Sequence, residues 1–461
     1  MGKNLRFYFA LLVARVVALI CKIIKTNGTT SPGRYAIKIC PDFIGRIGKP
    51  SKIICVTGTN GKTTVSNMLI DSLNKCGYKT LNNNLGGNIH YGIASTLIKG
   101  ASFLGNAKYD YAVLEVDERS SIRIYPYLTP DILVVTNLFR DSIYRNAHTE
   151  YILDIIKRDL PKSTKLVLNA DDLIASRVAE NGNEAVYFGI DRLDSDASEL
   201  SSNIVDIRCC PKCHSTLEFD YVRYHHIGKA HCPNCDFKSH EADYNVTNID
   251  YAKMLIDVNY KGQTYTFKII NDNIINIYNT VTAITALHEF GIEMEKLQEV
   301  FGSFEIVKSR LETVKCKGVE IISQVAKGLN PVAVSRAFEY IKNCEGQKIV
   351  FLNLDDVFME KRGESENVTW LYDADFEILK DDSIKQVIIG GIRSKDYLCR
   401  LLIGGVNPNK VVVERDYHDE MSHVNLENID KVFILHDIYN KEIADYLIKE
   451  IVNRLEKEGT K

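Results

Sequence analysis

The residues with the clearest chemistry form one short run, Cys55-Val56-Thr57-Gly58-Thr59-Asn60-Gly61-Lys62-Thr63-Thr64. A glycine-rich turn that ends in Gly-Lys-Thr is built to hold phosphate. Backbone N–H groups from Gly58, Thr59, Asn60 and Gly61 can face the anion, with the positive end of the following helix behind them. Lys62 can neutralise the β- and γ-phosphates, and the Thr63 hydroxyl suits Mg²⁺ beside Thr64. The run is not a complete eight-residue P-loop, because Val56 stands where the first glycine belongs. Glu115 ends a later apolar run, and a carboxylate there can share Mg²⁺ with Thr63; Asp117 and Glu118 compete for that role. Asn137-Leu138-Phe139-Arg140-Asp141 ends another such run. Arg140 suits an anionic substrate. Asp141 suits a metal or an ammonia-bearing group, or simply caps a helix.

A second constellation is Cys210-Pro-Lys-Cys213 and Cys232-Pro-Asn-Cys235, two C-x₂-C knuckles. Four thiolates at this spacing suit tetrahedral Zn²⁺ and leave no open position, which makes the site structural. The polar chain between the knuckles cannot build its own core, so the metal supplies folding energy. Two further residues have open roles. Asn279, three residues after Asn276, presents an amide to an adenine ring or caps a helix. Arg310 reaches a phosphate at a domain junction or forms a surface salt bridge.

These residues need a scaffold that gathers them. Ile53-Ile54-Cys55-Val56 reads as a buried strand, and Val65, Met68, Leu69 and Leu73 recur at helical spacing after the turn. Apolar runs at 111–118, 132–137 and 165–172 alternate with helical segments, which implies a largely parallel sheet. Ligands collect at the carboxyl ends of such strands, so the acids and the Gly-Lys-Thr turn share one edge. Residues 205–240 break the rhythm. Five strand-like runs between 321 and 435 form a second doubly wound unit. The expected fold is α/β, with three regions. An N-terminal helical segment spans 1–49. A central parallel-sheet ATPase domain spans 50–307, with the Cys₄ zinc ribbon inserted at 205–240. A C-terminal doubly wound α/β domain spans 308–461.

The chain has 461 residues, 45% apolar and 25% charged, with net charge −3. Length allows two to four domains, and the charge argues against nucleic-acid binding. Twelve cysteines, seven of them scattered outside 209–235, fit reduced thiols in a cytoplasm. Residues 7–24 are strongly apolar but interrupted by Arg15 and Lys22. They read as a docked or membrane-surface helix ahead of a true span or a signal peptide, placing the chain in the cytoplasm or at the inner face of the cell membrane.

With these residues assembled, the chain resembles the Mur ligase superfamily, whose phosphate loop reads Gly-Thr-Asn-Gly-Lys-Thr as at 58–63, and within it the MurT family. The resemblance spans nearly the whole sequence. It rests on Pro32-Gly33-Arg34-Tyr35-Ala36, Leu114-Glu115-Val116-Asp117-Glu118, Asn137 to Asp141, His226-Ile227-Gly228, Asn276 to Ala283, Ser309-Arg310-Leu311-Glu312, Trp370 to Glu377 and Gly391 to Asp396. It implies an ATP-dependent carbon–nitrogen ligase of peptidoglycan synthesis with Mg²⁺ and a structural Zn²⁺. The implied reaction activates the D-glutamate α-carboxylate of the lipid II stem peptide as an acyl phosphate, and ammonia then gives D-isoglutamine. The implied partner is a GatD-like glutaminase in a heterodimer; the chain has no Cys/His pairing motif of its own for that work. Catalytic roles carry over to Lys62, Glu115, Asp141 and, as the position that meets the partner's glutaminase site, Asn367, and nucleotide contacts to Gly58 through Thr64, Asn279 and Arg310.

The chain departs from the family at several points. Asn367 stands where the family carries an aspartate that completes the partner's Cys–His site, and an amide cannot stabilise an imidazolium as a carboxylate does. Residues 142–148 and the Lys327-Gly328-Leu329-Asn330-Pro331 stretch also differ. Two other readings stand beside the first: a divergent Mur-type amide ligase acting on another carboxylate, and a non-catalytic nucleotide-binding scaffold.

Overall fold

The computed structural model describes residues 1–84, 86–140, 148–203, 205–305, 311–326, 330–355, 363 and 366–458. Asp141 and Arg310 lie outside the described residues. The chain divides into two compact units. Described residues up to 305 form the first, except that Ser201–Asn203 and Val205 belong with the second, where Asn203 N donates to Asp375 Oδ1 at 2.6 Å.

The first unit holds a nine-stranded sheet. The strand that leads into the phosphate loop is β1 (Lys52–Thr57), an interior strand buried on both faces from Ile53 onward, as its unbroken apolar run requires. On one side lie β3 (Tyr111–Glu115) and β2 (Thr80–Asn82). On the other lie β4 (Ile132–Val135), β5 (Lys165–Asn169) and β6 (Ala185–Ile190), and beyond them β9 (Tyr244–Asp250), β10 (Leu255–Tyr260) and β11 (Gln263–Lys268). The pairs from β2 to β9 are parallel, and β10 runs antiparallel to both of its neighbours, β9 and β11. β3 and β4 flank β1, so the strand order reverses at β1 and a crevice opens at its carboxyl end.

Helix α1 (Leu5–Ile23) starts at Asn4, whose side chain accepts from Phe7 N. It packs through Phe7, Ala10, Leu11 and Ala14, beside α2 (Ser31–Ile39). α3 (Lys62–Lys75) buries Val65, Met68, Leu69 and Leu73, the residues whose spacing predicted it. α4 (His90–Lys99) precedes β3. α5 (Ile274–Glu289) is capped by Asn273, not by Asn276 or Asn279: Ile275 N donates to Asn273 Oδ1 at 3.0 Å. The cysteine insertion contains a two-stranded antiparallel ribbon, β7 (Glu218–Tyr224) and β8 (Ile227–His231).

The second unit holds a six-stranded sheet in the order β12 (Leu311–Cys316), β13 (Val319–Val325), β17 (Lys431–His436), β14 (Lys348–Asn353), β15 (Ile384–Ile389) and β16 (Val411–Val413). Only β12 is antiparallel, so the unit is doubly wound as expected, with an added edge strand. Apolar clusters cover both faces, one around Trp370, Phe376 and Phe433 and the other around Phe351, Ile434 and Leu447.

Candidate active site and zinc ribbon

The phosphate loop is fixed from three sides. Gly58 and Gly61 adopt φ of +125° and +88°, in the region glycine tolerates. A side chain at either would collide, at Gly58 with Thr136 Oγ1 and at Gly61 with Asn279 Oδ1. The second contact brings Asn279, on the first turns of α5, directly against the loop. The end of β4 holds the opposite side. Thr59 N donates to Asn137 O at 2.8 Å, Asn60 N to Asn137 Oδ1 at 2.9 Å and Thr136 Oγ1 to Asn60 O at 2.6 Å. Phe139 N closes the frame by donating to Thr59 Oγ1 at 2.9 Å.

Register decides the third side. Val56 of β1 pairs with Glu115 at the end of β3. The Glu115 carboxylate accordingly reaches the first turn of α3, where Thr63 Oγ1 donates to its Oε2 at 2.8 Å. Its other oxygen accepts from Asn88 Nδ2 at 3.1 Å, and Asn83 clamps the Glu115 backbone through both N–H and C=O, each at 2.8 Å. A hydroxyl and a carboxylate side by side are hard oxygen donors, the set Mg²⁺ takes. Thr63 and Glu115 would hold that ion.

The two acids that follow Glu115 have separate jobs. Asp117 accepts from Ser120 N at 3.2 Å and caps a 3-10 turn. Glu118, in that turn, is buried, and its Oε1 lies 2.9 Å from Lys62 Nζ and accepts from Gly58 N at 3.2 Å. Lys62 also donates to Gly58 O and to Thr59 O. Burial raises the Glu118 pKa above its ordinary value, and the Lys62 charge beside it works in the opposite direction. Burial opposes the Lys62 charge, yet the nearby Glu118 carboxylate raises the lysine's pKa. Sequence reasoning placed Glu118 only as a competitor for the metal. The contact with Lys62 depends on the 3-10 turn, which has no sequence signature.

The four knuckle cysteines converge: all four Sγ atoms lie within 4.8 Å of one another, and all are free thiols. Pairs stand at 3.5 Å (Cys210 to Cys235) and 3.4 Å (Cys213 to Cys232). Four sulfurs this close, with no disulfide among them, fit a tetrahedral Zn²⁺ site. His231, a neighbour of Cys232, faces Glu218 and Asp220 instead.

The ribbon also reaches the nucleotide edge, which sequence spacing did not reveal. His226, fully buried in the turn between β7 and β8, has Nε2 at 3.2 Å from Asp172 Oδ1 and Nδ1 at 3.8 Å from Asp206 Oδ2. Asp172 Oδ2 accepts from Leu138 N at 2.8 Å, and Asp206 Oδ2 from Arg140 N at 3.0 Å. Arg140 Nε lies 3.3 Å from Asp206, so the guanidinium is held by this carboxylate. The segment after β4 thus hangs from two acids that His226 braces.

Asn367 lies in the second unit. Its Oδ1 accepts from Thr369 N at 3.0 Å and from the Thr369 hydroxyl, starting the 3-10 turn Thr369–Tyr372.

Back in the first unit, a cleft of about 490 Å³ opens beside Asn83. Arg15, Lys22 and Lys99 line it with Asn82 and Asn84.

Comparison with known proteins agrees with this geometry. The Mur ligase middle domain matches residues 56–235, and the MurT ligase C-terminal domain matches residues 328–439. The lipid II isoglutaminyl synthase (glutamine-hydrolyzing) subunit MurT of Staphylococcus aureus (strain COL) is 30% identical over 416 residues, 90% of this chain and 91% of that one. Its counterpart in Streptococcus pneumoniae (strain ATCC BAA-255 / R6) is 28% identical, over 89% and 90%. Among solved structures, a pseudomurein peptide ligase type C from Methanothermus fervidus superposes with a TM-score of 0.64 at 21% identity, covering 88% of this chain and 81% of that one. MurF from Thermotoga maritima in complex with ADP superposes at 0.54 and 14% identity, over 93% and 85%. These two likenesses establish the Mur ligase fold. The sequence match across nine-tenths of both chains establishes more: this chain belongs to the MurT family of Mur ligases.

Proposed function

We propose that this chain is an ATP-dependent amide ligase of peptidoglycan synthesis that converts the D-glutamate α-carboxylate of a lipid II stem peptide to D-isoglutamine. The observation that carries the reading is the Thr63–Glu115 pair beside Lys62, set in a chain of the MurT family. A carboxylate attacking a γ-phosphoryl group needs its charge spread and its reactants aligned, and little else from the protein. Lys62 and the backbone N–H groups at the start of α3 would orient the triphosphate, because those of Thr59 and Asn60 are taken by Asn137. Asn279, pressed on Gly61, is close enough to the loop to present its amide to the nucleotide's base. Mg²⁺ held by Thr63 and Glu115 would neutralise phosphate charge. That attack breaks the bond between the β,γ-bridging oxygen and the γ-phosphorus, giving an acyl phosphate and ADP, and ammonia then attacks the acyl carbon to form the amide with release of inorganic phosphate. Asp141 and Arg310 retain the roles their sequence motifs suggest. The cation-lined cleft beside Asn83 supports binding of an anionic acceptor on this edge.

The ammonia is assigned to a separate GatD-like glutaminase. Asn367 favours a second reading, a ligase fed by free ammonia or another amine, because its amide oxygen is engaged by Thr369 and carries no charge for a partner's histidine. One experiment separates the two. The purified chain is given ATP and lipid II, with either glutamine plus a glutaminase or ammonium alone, and the product is weighed by mass spectrometry. Replacement of hydroxyl by amino in the glutamine arm supports the first reading; replacement only with ammonium supports the second. ATP turnover with no change in lipid II under either condition overturns the assigned acceptor.

A further inference from the structure

α1 shows two apolar faces, and the fold uses one. Phe7, Ala10, Leu11 and Ala14 are buried, with the Phe7 ring stacked on Phe43 at 5.1 Å. The opposite face carries Leu5, Phe9, Leu12, Val16, Leu19 and Ile23, all exposed, Leu5 at 88% and Ile23 at 70%. Their spacing of four and three residues puts them in one stripe along the helix. The loop beside the helix continues the apolar surface: Phe103 is 78% exposed and Leu104 59%. The helix is pinned to that loop. Arg15 donates to the carbonyls of Phe103 and Ser102, and Lys3 donates to Leu104 O at 3.0 Å.

Charge selects the occupant. Residues 1–41 contain seven lysines and arginines and no acidic residue, although the whole chain carries −3. Arg6 and Lys22 flank the apolar stripe, and Lys25 follows the helix. A self-associating helix with a three-four apolar repeat wants opposite charges along its seam. A second copy would bring these cations against like cations with no acid to answer them. No described helix is long and apolar enough to cross a membrane. A helix with a broad apolar face, basic flanks and no acid fits the interface of an anionic bilayer, where the long cationic side chains reach up to the headgroups.

We propose that the outer face of α1, with Phe103 and Leu104, seats this chain on an anionic membrane surface. The contact is peripheral, made by side chains that already face outward, and it needs no refolding of the unit.

The test uses the full chain and vesicles without lipid II, so its outcome is independent of the ligase reading. Flotation is measured with phosphatidylglycerol-containing vesicles and with pure phosphatidylcholine vesicles. The chain is expected to float with the anionic vesicles and to do so at least about tenfold less with the neutral ones, with added salt weakening the first. Leu12→Asp/Leu19→Asp should abolish flotation while leaving the melting temperature unchanged, since both side chains are exposed. Lys22→Ala/Lys25→Ala, a milder change, should weaken flotation on anionic vesicles only. A wild-type chain that stays in the soluble fraction, or variants that float as well as wild type, would overturn the proposal. So would a dimer in solution that Leu12→Asp/Leu19→Asp dissociates.

Discussion

Lys62 and Glu118 form a partly buried ion pair against the phosphate loop, Nζ to Oε1 at 2.9 Å, and the same carboxylate oxygen accepts from Gly58 N. Both donors are groups that a triphosphate would engage, so Glu118 and the nucleotide compete for them. Glu118→Gln removes the charge and leaves Lys62 poorly paired, at a cost of about 1–3 kcal/mol. The nucleotide-free variant should therefore melt lower than wild type, and a nonhydrolysable ATP analogue should raise its melting temperature by more than it raises wild type's. Equal ligand-induced shifts would refute the competition.

Thr63 and Glu115 meet because of β-sheet register. Lys62→Ala should abolish ATP turnover. Thr63→Val and Glu115→Gln should each lower kcat about 10²–10³-fold, the scale for removing one preorganised charge-stabilising group. Thr63→Ser, which keeps the hydroxyl, should retain most activity. Steady-state phosphate release at varied Mg²⁺ checks this; a Thr63→Val enzyme with wild-type Mg²⁺ dependence would remove the pair from the metal site.

Purified chain should contain about one zinc, the stoichiometry of a single four-thiolate site. Cys213→Ser/Cys235→Ser should abolish it, read by metal analysis. ATP turnover should fall as well, because the ribbon carries His226 and its acids hold the segment from Leu138 to Arg140. Full turnover in a zinc-free variant would uncouple the ribbon from the nucleotide edge.

His226 should impose a pH dependence on stability. Burial pushes its pKa down, but the charges of Asp172 and then Asp206 reverse this, leaving it above the ordinary 6.5. A group that binds its proton more tightly when folded stabilises the fold below its unfolded pKa, and that stability is lost as pH rises through the folded value. Denaturant unfolding should show stability falling as pH rises above about 6.5. His226→Gln should flatten that fall; an identical slope in the variant would assign it elsewhere.

Asn367→Asp preserves an oxygen for Thr369 N and for the Thr369 hydroxyl, so stability should change by less than about 0.5 kcal/mol. In complex with a glutaminase partner, the substitution should raise glutamine hydrolysis. No change, with the wild-type complex already fully active, would show that another residue serves.

Much of the fold could be read directly. Buried strands announce themselves as unbroken apolar runs, and Val65, Met68, Leu69 and Leu73 marked α3 by spacing alone. The ribbon was equally plain, since two C-x₂-C knuckles have few other uses. Less legible were residues whose roles depend on partners far along the chain. Asn279 looked like one more helix cap until the packing of α5 set it on Gly61. Glu118 looked like one of three equivalent acids. Asp206 lay in polar chain before the first knuckle and carried no motif.

The sequence by itself determined which local chemistry is available: a turn that holds phosphate, four thiols spaced for zinc, and an N-terminal segment both apolar and free of acid. Those properties are local, set by residue type and by spacings shorter than a single element. Tertiary structure decided which groups act together. Register between β1 and β3 joined Glu115 to Thr63, the 3-10 turn gave Glu118 to Lys62, and the ribbon fold put His226 between Asp172 and Asp206. It also decided which side of α1 is spent on the core and which is left facing out. A hydrogen bond or ion pair acts over a few ångströms, and only the folded chain brings residues dozens or more positions apart within that reach.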